Sequence, residues 1–275
     1  MTATSARVAI LRLRDGRTSE GSDLTAAEVP LEVRLQGRAF AVIMRTPGAD
    51  RALAAGFLLA ERIIRSADDL ATIEQCDDEQ ADRGERRQDV VSVVLEAAAA
   101  HRAARLLEQR REVMASAACG VCGRSTIDAL RADLRPLDGS VRMDGATVLS
   151  LPQRLRAQQP LFDTTGGLHA AGLFTADGTP RAIAEDVGRH NAVDKVTGTL
   201  LLREELPAAT SVLCVSGRTS FEIVQKAWCA GVTVVASVSA PSSLAVSLAD
   251  DAGITLVGFV RDGGLNIYTH PSRIA

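Results

Sequence analysis

Aromatic residues are nearly missing from this chain: they make up 3% of 275 residues, with one tryptophan and one tyrosine. A surface that stacks nucleobases needs such rings, so no nucleic-acid partner is expected. Excess charge is also lacking. A formal net charge of −3 supplies no whole-molecule basic field, although a local basic pocket for an anion is still allowed. No apolar run is long enough to cross a bilayer, so no membrane partner is expected. The start carries arginine instead of an apolar secretory core, and the five cysteines are odd in number. A cytoplasmic, reducing location is therefore expected, without a disulfide framework. A second C-x-x-C, a P-loop, G-x-G-x-x-G and the H-x-E…P-C-x-x-C deaminase signature are all absent, and no metal site is expected. What remains is a hydrophobic fraction of 46%, enough for a full core in one large or two modest domains.

The chemistry concentrates first at Ala118-Cys119-Gly120-Val121-Cys122-Gly123-Arg124. Glycine follows each sulfur, small residues precede the pair, and the segment from Arg124 to Asp128 reads as the start of a helix. A helix N-terminus and a nearby arginine both favour thiolate over thiol. The pair is open to four readings: a sulfur-handling nucleophile, half of a zinc site, a thioredoxin-like redox pair, or a structural pair. Zinc lacks its other ligands, because Cys76, Cys214 and Cys229 stand alone. The redox reading needs a strand before the motif, and the pattern there is helical.

Around this loop the chain divides. Residues 1–29 are polar and are expected to fray or to form an irregular edge strand. Alternation over 31–44 predicts a hairpin, and Asp50 is placed as the N-cap of a helix reaching Ile63. Residues 74–89 read as a charged loop, 89–96 as a strand and 97–114 as a helix. A short helix to about residue 134 follows the cysteines, and turn residues over 135–147 suggest a junction. Ser150, with Pro152 in the first turn, is expected to open the next helix. Strands then fall at 169–174, 181–185, 211–215, 232–236 and 254–260, with helices between most of them. This alternation predicts a mostly parallel sheet covered on both faces, with ligands at the strand ends. The domain reading is a polar segment 1–29, an α+β domain 30–114, the C-x-x-C loop and helix 115–135, and an α/β/α domain 136–275.

Three loops of the second half carry polar chemistry at those strand ends. They are Thr164-Thr165-Gly166-Gly167-Leu168-His169, Glu185-Asp186-Val187-Gly188-Arg189-His190-Asn191 and Ser216-Gly217-Arg218-Thr219-Ser220. Glycine, hydroxyls and arginine beside a helix start compose an anion site, although each loop alone also reads as an ordinary capped turn. The candidate contacts are Thr165, Gly166, Gly167, His169, Gly188, Arg189, His190, Ser216, Gly217 and Arg218. Near the end, Phe259-Val260-Arg261-Asp262-Gly263-Gly264 leaves one strand and enters another. Its arginine and bare glycines suit a phosphate or a guanine edge, or a plain hairpin.

Taken together, the C-x-x-C run, the three loops and Ala236-Ser237-Val238-Ser239-Ala240-Pro241-Ser242 resemble the FdhD/NarQ family of formate dehydrogenase accessory proteins. The resemblance runs from about Pro30 to the C-terminus. It implies a cytidine-deaminase-like three-layer α/β/α domain preceded by a smaller α+β portion, working as a cytoplasmic homodimer. It further implies a sulfurtransferase that takes sulfur from a cysteine desulfurase as a persulfide. The implied acceptor is the molybdenum bis(molybdopterin guanine dinucleotide) cofactor, before its insertion into formate dehydrogenase. By the same resemblance Cys119 bears the persulfide, Cys122 supports it, and Phe259, Val260, Arg261, Asp262, Gly263 and Gly264 bind the cofactor.

Overall fold

The computed structural model describes residues 3–77, 89–114, 135–139, 141–261 and 263–275. The chain opens with two antiparallel strands, β1 (Ser5–Arg14) and β2 (Arg17–Ala26), paired along their whole length. This corrects the expectation of a fraying segment. Asp15 and Gly16 both take positive φ, 49° and 72°, the Asp-Gly turn whose twist matches a hairpin. The ribbon buries neither face, and it leaves Val8, Leu11 and Leu13 of β1 exposed.

The next lobe holds β3 (Val29–Leu35), β4 (Arg38–Arg45), α1 (Asp50–Ala60), β5 (Leu70–Asp77), β6 (Asp89–Leu95) and α2 (Ala97–Met114). Its four strands run in the order β4-β3-β6-β5, with β3 and β6 parallel. Residues 74–77, expected in a loop, belong to edge strand β5, whose exposed polar residues mask its pairing with β6. Asp50 is the first residue of α1, not its cap; Ala49 precedes it in left-handed backbone. The Asp50 carboxylate is occupied elsewhere. Arg45, fully buried, donates to it through Nε at 2.9 Å and Nη2 at 2.8 Å, and to Asp89 at 2.6 Å. A buried guanidinium is tolerable only with its donors matched in this way.

The second half continues with α3 (Gly145–Arg156), α4 (Pro160–Thr165), β7 (His169–Thr175), β8 (Pro180–Asp186), α5 (Arg189–Leu202) and β9 (Ser211–Val215). Then come α6 (Phe221–Cys229), β10 (Val234–Ser237), α7 (Ser243–Asp251), β11 (Thr255–Arg261) and β12 (Gly264–Ile267). Helix α3 starts ahead of Ser150, because Asp144 caps it by accepting from Ala146 N at 3.3 Å. Pro152 therefore lies inside the helix.

The six strands take the order β12-β11-β10-β9-β7-β8. Only β9, β10 and β11 are mutually parallel; β7 runs antiparallel to both β8 and β9, and β12 to β11. The expected mostly parallel sheet is thus a mixed one. Strand–helix alternation reports that crossovers exist, but not which strand a crossover lands beside.

Side chains of the sheet alternate between two cores. Val212, Cys214, Val234 and Ala236 face Val148, Leu151 and Leu155 of α3. Leu213, Val215, Val235 and Leu256 face the side of α5, α6 and α7, in a cluster that continues through α1 to Leu31, Val33 and Val91 of the four-stranded sheet. Helices α1 and α5 meet through glycines. A Cβ on Gly56 would lie 2.0 Å from Asp194 O, and one on Gly198 would lie 1.9 Å from Ala52 O. Among the described residues, no helix is long and apolar enough to cross a membrane.

Candidate functional site

Sheet register gathers the polar loops at one end. His169, the first residue of β7, pairs with Asp186, the last of β8, and Ala171 pairs with Val215, the last of β9. The loop after β9 therefore emerges beside His169. A Cβ on Gly217 would stand 3.4 Å from His169 Nδ1 and 3.8 Å from Arg189 Cδ, at ordinary contact distance, which places both side chains beside this loop. His169, Gly188, Arg189, His190, Ser216, Gly217 and Arg218 thus gather at one end of the sheet.

Two helices begin in this group, and neither has a side-chain cap. Helix α5 follows Gly188, which has no side chain to offer. Helix α6 follows Ser220, whose hydroxyl lies 3.1 Å from His190 Nε2 and does not bond the helix backbone. The first N–H groups of a helix seek an acceptor. Two arginines stand at these starts. Arg189 makes no hydrogen bond or ion pair among the described residues, and its Nε is buried without a partner. Arg218 is exposed and equally unbonded among the described residues. Nearby acids are already engaged. Asp186 pairs with Lys195 at 2.7 Å, and Glu222 lies 2.7 Å from His190 Nε2. The bond from His190 holds the Glu222 carboxyl below the usual carboxylate range. Burial lowers the His169 pKa, with Arg189 and His190 adding to the effect, so His169 sits in an environment already positive. The balance favours an anionic ligand. Ser220 and Glu222 meet the same nitrogen of His190, so the three residues do not compose a hydrolase relay, which needs opposite ring nitrogens.

The other candidate residues occupy distinct places. Thr165 Oγ1 donates to Leu161 O at 2.7 Å, and Gly166 N donates to Phe162 O at 2.8 Å from left-handed backbone. These groups close α4, while Gly167 faces Ala26 of β2. Ser216 Oγ accepts from Ala170 N at 2.8 Å and stitches β9 to β7. Phe259 and Arg261 lie two strands along. Phe259 adopts φ 52°, strained for an aromatic residue, at a bulge between Gly258 and Arg261. The Arg261 guanidinium lies 5.4 Å from the Phe259 ring centroid. Gly264 is exposed and opens β12; Gly263, with φ 76°, makes the turn before it, and Val260 is buried. Cys119, Cys122 and Asp262 lie outside the described residues.

The loop over 238–242 joins the two clusters. Thr219 N donates to Ala240 O at 3.3 Å on one side, and Phe259 N donates to Ser239 O at 3.2 Å on the other. Sequence reading assigned no site role to Thr219 or Ser239. Their signal was position: each lies in the loop at the carboxyl end of an apolar strand. It also missed Thr46, which bonds into the loop after β8 from the other sheet, a contact that no local pattern announces.

A profile of the FdhD/NarQ family matches residues 26–275. The sulfur carrier protein FdhD of Streptomyces avermitilis is 48% identical over 269 residues, which is 97% of this chain and 94% of that one. Its namesake in Mycolicibacterium paratuberculosis is 45% identical over 276 residues, covering 100% of both chains. The one in Saccharolobus solfataricus is 40% identical over 274 residues, or 98% and 97% of the two chains. A crystal structure described as that of a formate dehydrogenase accessory protein from Desulfotalea psychrophila superposes with a TM-score of 0.77 at 26% identity, covering 99% of this chain and 100% of that one.

Proposed function

Because this chain belongs to the FdhD/NarQ family, we propose that it is a sulfur carrier accessory to a formate dehydrogenase, with Cys119 bearing the sulfur. In this reading a cysteine desulfurase presents a persulfide. The Cys119 thiolate attacks its terminal sulfur, the donor cysteine leaves as thiolate, and Cys119 becomes the persulfide. The substrate that receives the sulfur is the molybdenum bis(molybdopterin guanine dinucleotide) cofactor, held at the strand ends of the six-stranded sheet. The protein acts in the cytoplasm as a homodimer, and the Cys122 thiolate assists release by attacking the inner sulfur of the Cys119 persulfide: a Cys119–Cys122 disulfide forms, the S–S bond of the persulfide breaks, and the outer sulfur leaves as hydrosulfide to the cofactor. This makes it a sulfurtransferase.

One observation carries the acceptor half of this reading. Arg189 has a buried, unpartnered Nε and no ion pair among the described residues, beside two helix starts that lack side-chain caps. Diphosphate oxygens supply the acceptors that both features want. Arg218 meets the same anion from the exposed side. Phe259 and Arg261 offer a ring and a planar cation to a guanine.

Intact mass tests the donor half. After incubation with an active cysteine desulfurase and cysteine, wild type gains one reductant-labile sulfur and Cys119→Ala does not. Absence of that gain in wild type, while the desulfurase turns over, removes sulfur carriage from the reading. Titration with guanosine diphosphate tests the acceptor half; Arg189→Ala lowers affinity on the order of tenfold or more, as the loss of a charge-assisted contact requires.

A further inference from the structure

Among the described residues the Arg189 side chain has no bond of its own to aim it, so its direction comes from the backbone that bears it. That backbone is tied down by Asp186. The Asp186 side chain is fully buried. Its Oδ1 accepts from Gly188 N at 2.8 Å and from Asn191 Nδ2 at 2.9 Å. Its Oδ2 accepts from Thr46 N at 3.2 Å and lies 2.7 Å from Lys195 Nζ. Lys195 spends its other donors on Thr46 O at 2.8 Å and Glu185 O at 3.2 Å. Asn191 Nδ2 also donates to Met44 O at 2.8 Å. Arg189 and His190 therefore sit between two anchored positions, Gly188 and Asn191, both held by one carboxylate.

Half of this network belongs to the other sheet. Met44 is the penultimate residue of β4, and Thr46 directly follows the strand. Arg45 between them is locked to Asp50 and Asp89, and α1 presses on α5 through Gly56 and Gly198. The four-stranded sheet thus forms a rigid surface against which the loop after β8 is set. A buried ion pair is a weak source of stability compared with apolar packing. What these four contacts to one short turn accomplish is a fixed orientation.

We propose that Asp186, braced on Thr46 and Met44 of the four-stranded sheet, is the positioning residue for anion capture by Arg189. This rests on the anion reading given above. The carboxylate itself is saturated and buried, so it acts through the turn and not by touching the ligand.

The test is a double-mutant cycle read by calorimetric titration of guanosine diphosphate into wild type, Asp186→Asn, Arg189→Ala and the double variant, with a melting temperature for each. Asp186→Asn is expected to weaken binding about tenfold, the scale of a misplaced contact. Adding it to Arg189→Ala is expected to cost nothing further, because the arginine it aims is gone. A merely structural role lowers the melting temperature but leaves the two losses independent, and that result overturns the inference. So does a folded Asp186→Asn that binds like wild type. Should Asp186→Asn fail to fold, Asn191→Ala, on a half-exposed position, takes its place in the same cycle. Absence of binding by wild type overturns the anion reading and this inference with it, whereas binding with independent losses overturns this inference alone.

Discussion

At the scale of single residues, the three described cysteines separate by environment. Cys214 faces the α3 side of the sheet, and burial pushes its thiol up to about 12. Burial does the same to Cys229, again to about 12. Neither thiol ionises near neutral pH, and the thiolate is the reactive form. Cys76 is exposed on β5. Iodoacetamide applied to the native protein at about pH 8 is therefore expected to modify Cys76 and to spare Cys214 and Cys229 until denaturant is added. Peptide mapping by mass spectrometry reads this out, and labelling of Cys214 in native buffer would contradict the burial argument. The motif around Arg189 separates in the same residue-by-residue manner. Asp186, Asn191 and Lys195 are spent on internal bonds, while Arg189 keeps its guanidinium for something else. The sequence reading places candidate contacts on Gly188, Arg189 and His190 of this run and gives Asp186, Asn191 and Lys195 no role, because adjacency in the chain does not show which side chains turn inward.

At the scale of elements, the helix pair α1 and α5 carries the junction. Backbone oxygens of each helix stand where a Cβ on the other's glycine would go. Backbone cannot yield as a flexible side chain does, so the helices would have to part. Gly198→Ala is expected to cost about 2–4 kcal/mol of stability, despite the better helix propensity of alanine. Chemical denaturation measures this, and a midpoint at or above that of wild type would refute the close-packing argument. The helices α1 and α5 were visible in the sequence through their apolar residues at helical spacing. Their use as a contact surface was not, since the partner lies more than a hundred positions away. The β1–β2 ribbon shows the converse. Its Asp15-Gly16 pair is a hairpin signal that the reading of residues 1–29 as a fraying segment or irregular edge strand passed over, because polar composition outweighed it.

At the scale of the whole molecule, one apolar cluster runs from Leu31 and Val91 of the four-stranded sheet, through α1, to Val235 of the six-stranded sheet. The two sheets share a core and the buried Asp186–Lys195–Thr46 network. Unfolding is therefore expected to be a single cooperative transition. Trp228, whose Nε1 donates to Arg135 O at 2.9 Å, reports locally on α6, while far-ultraviolet circular dichroism reports on the whole chain. The two denaturation curves should coincide. A separate dichroism transition before the tryptophan signal moves would mean that the lobes fold independently.

The sequence by itself determined the elements and the chemistry at their ends. Periods of two and near four, capping residues and turn glycines placed most strands and helices within a few residues, because these signals are local. It also supplied the Cys119–Cys122 pair and the three polar loops, whose residue types carry their chemistry wherever they fall. Only the tertiary structure decided that β7 lies between β8 and β9, which brings His169, Arg189 and Gly217 together. The tertiary structure alone also showed that Thr46 of the other sheet holds the loop after β8. Both depend on which strand pairs with which, a choice made by long-range burial and not by any neighbour in the chain.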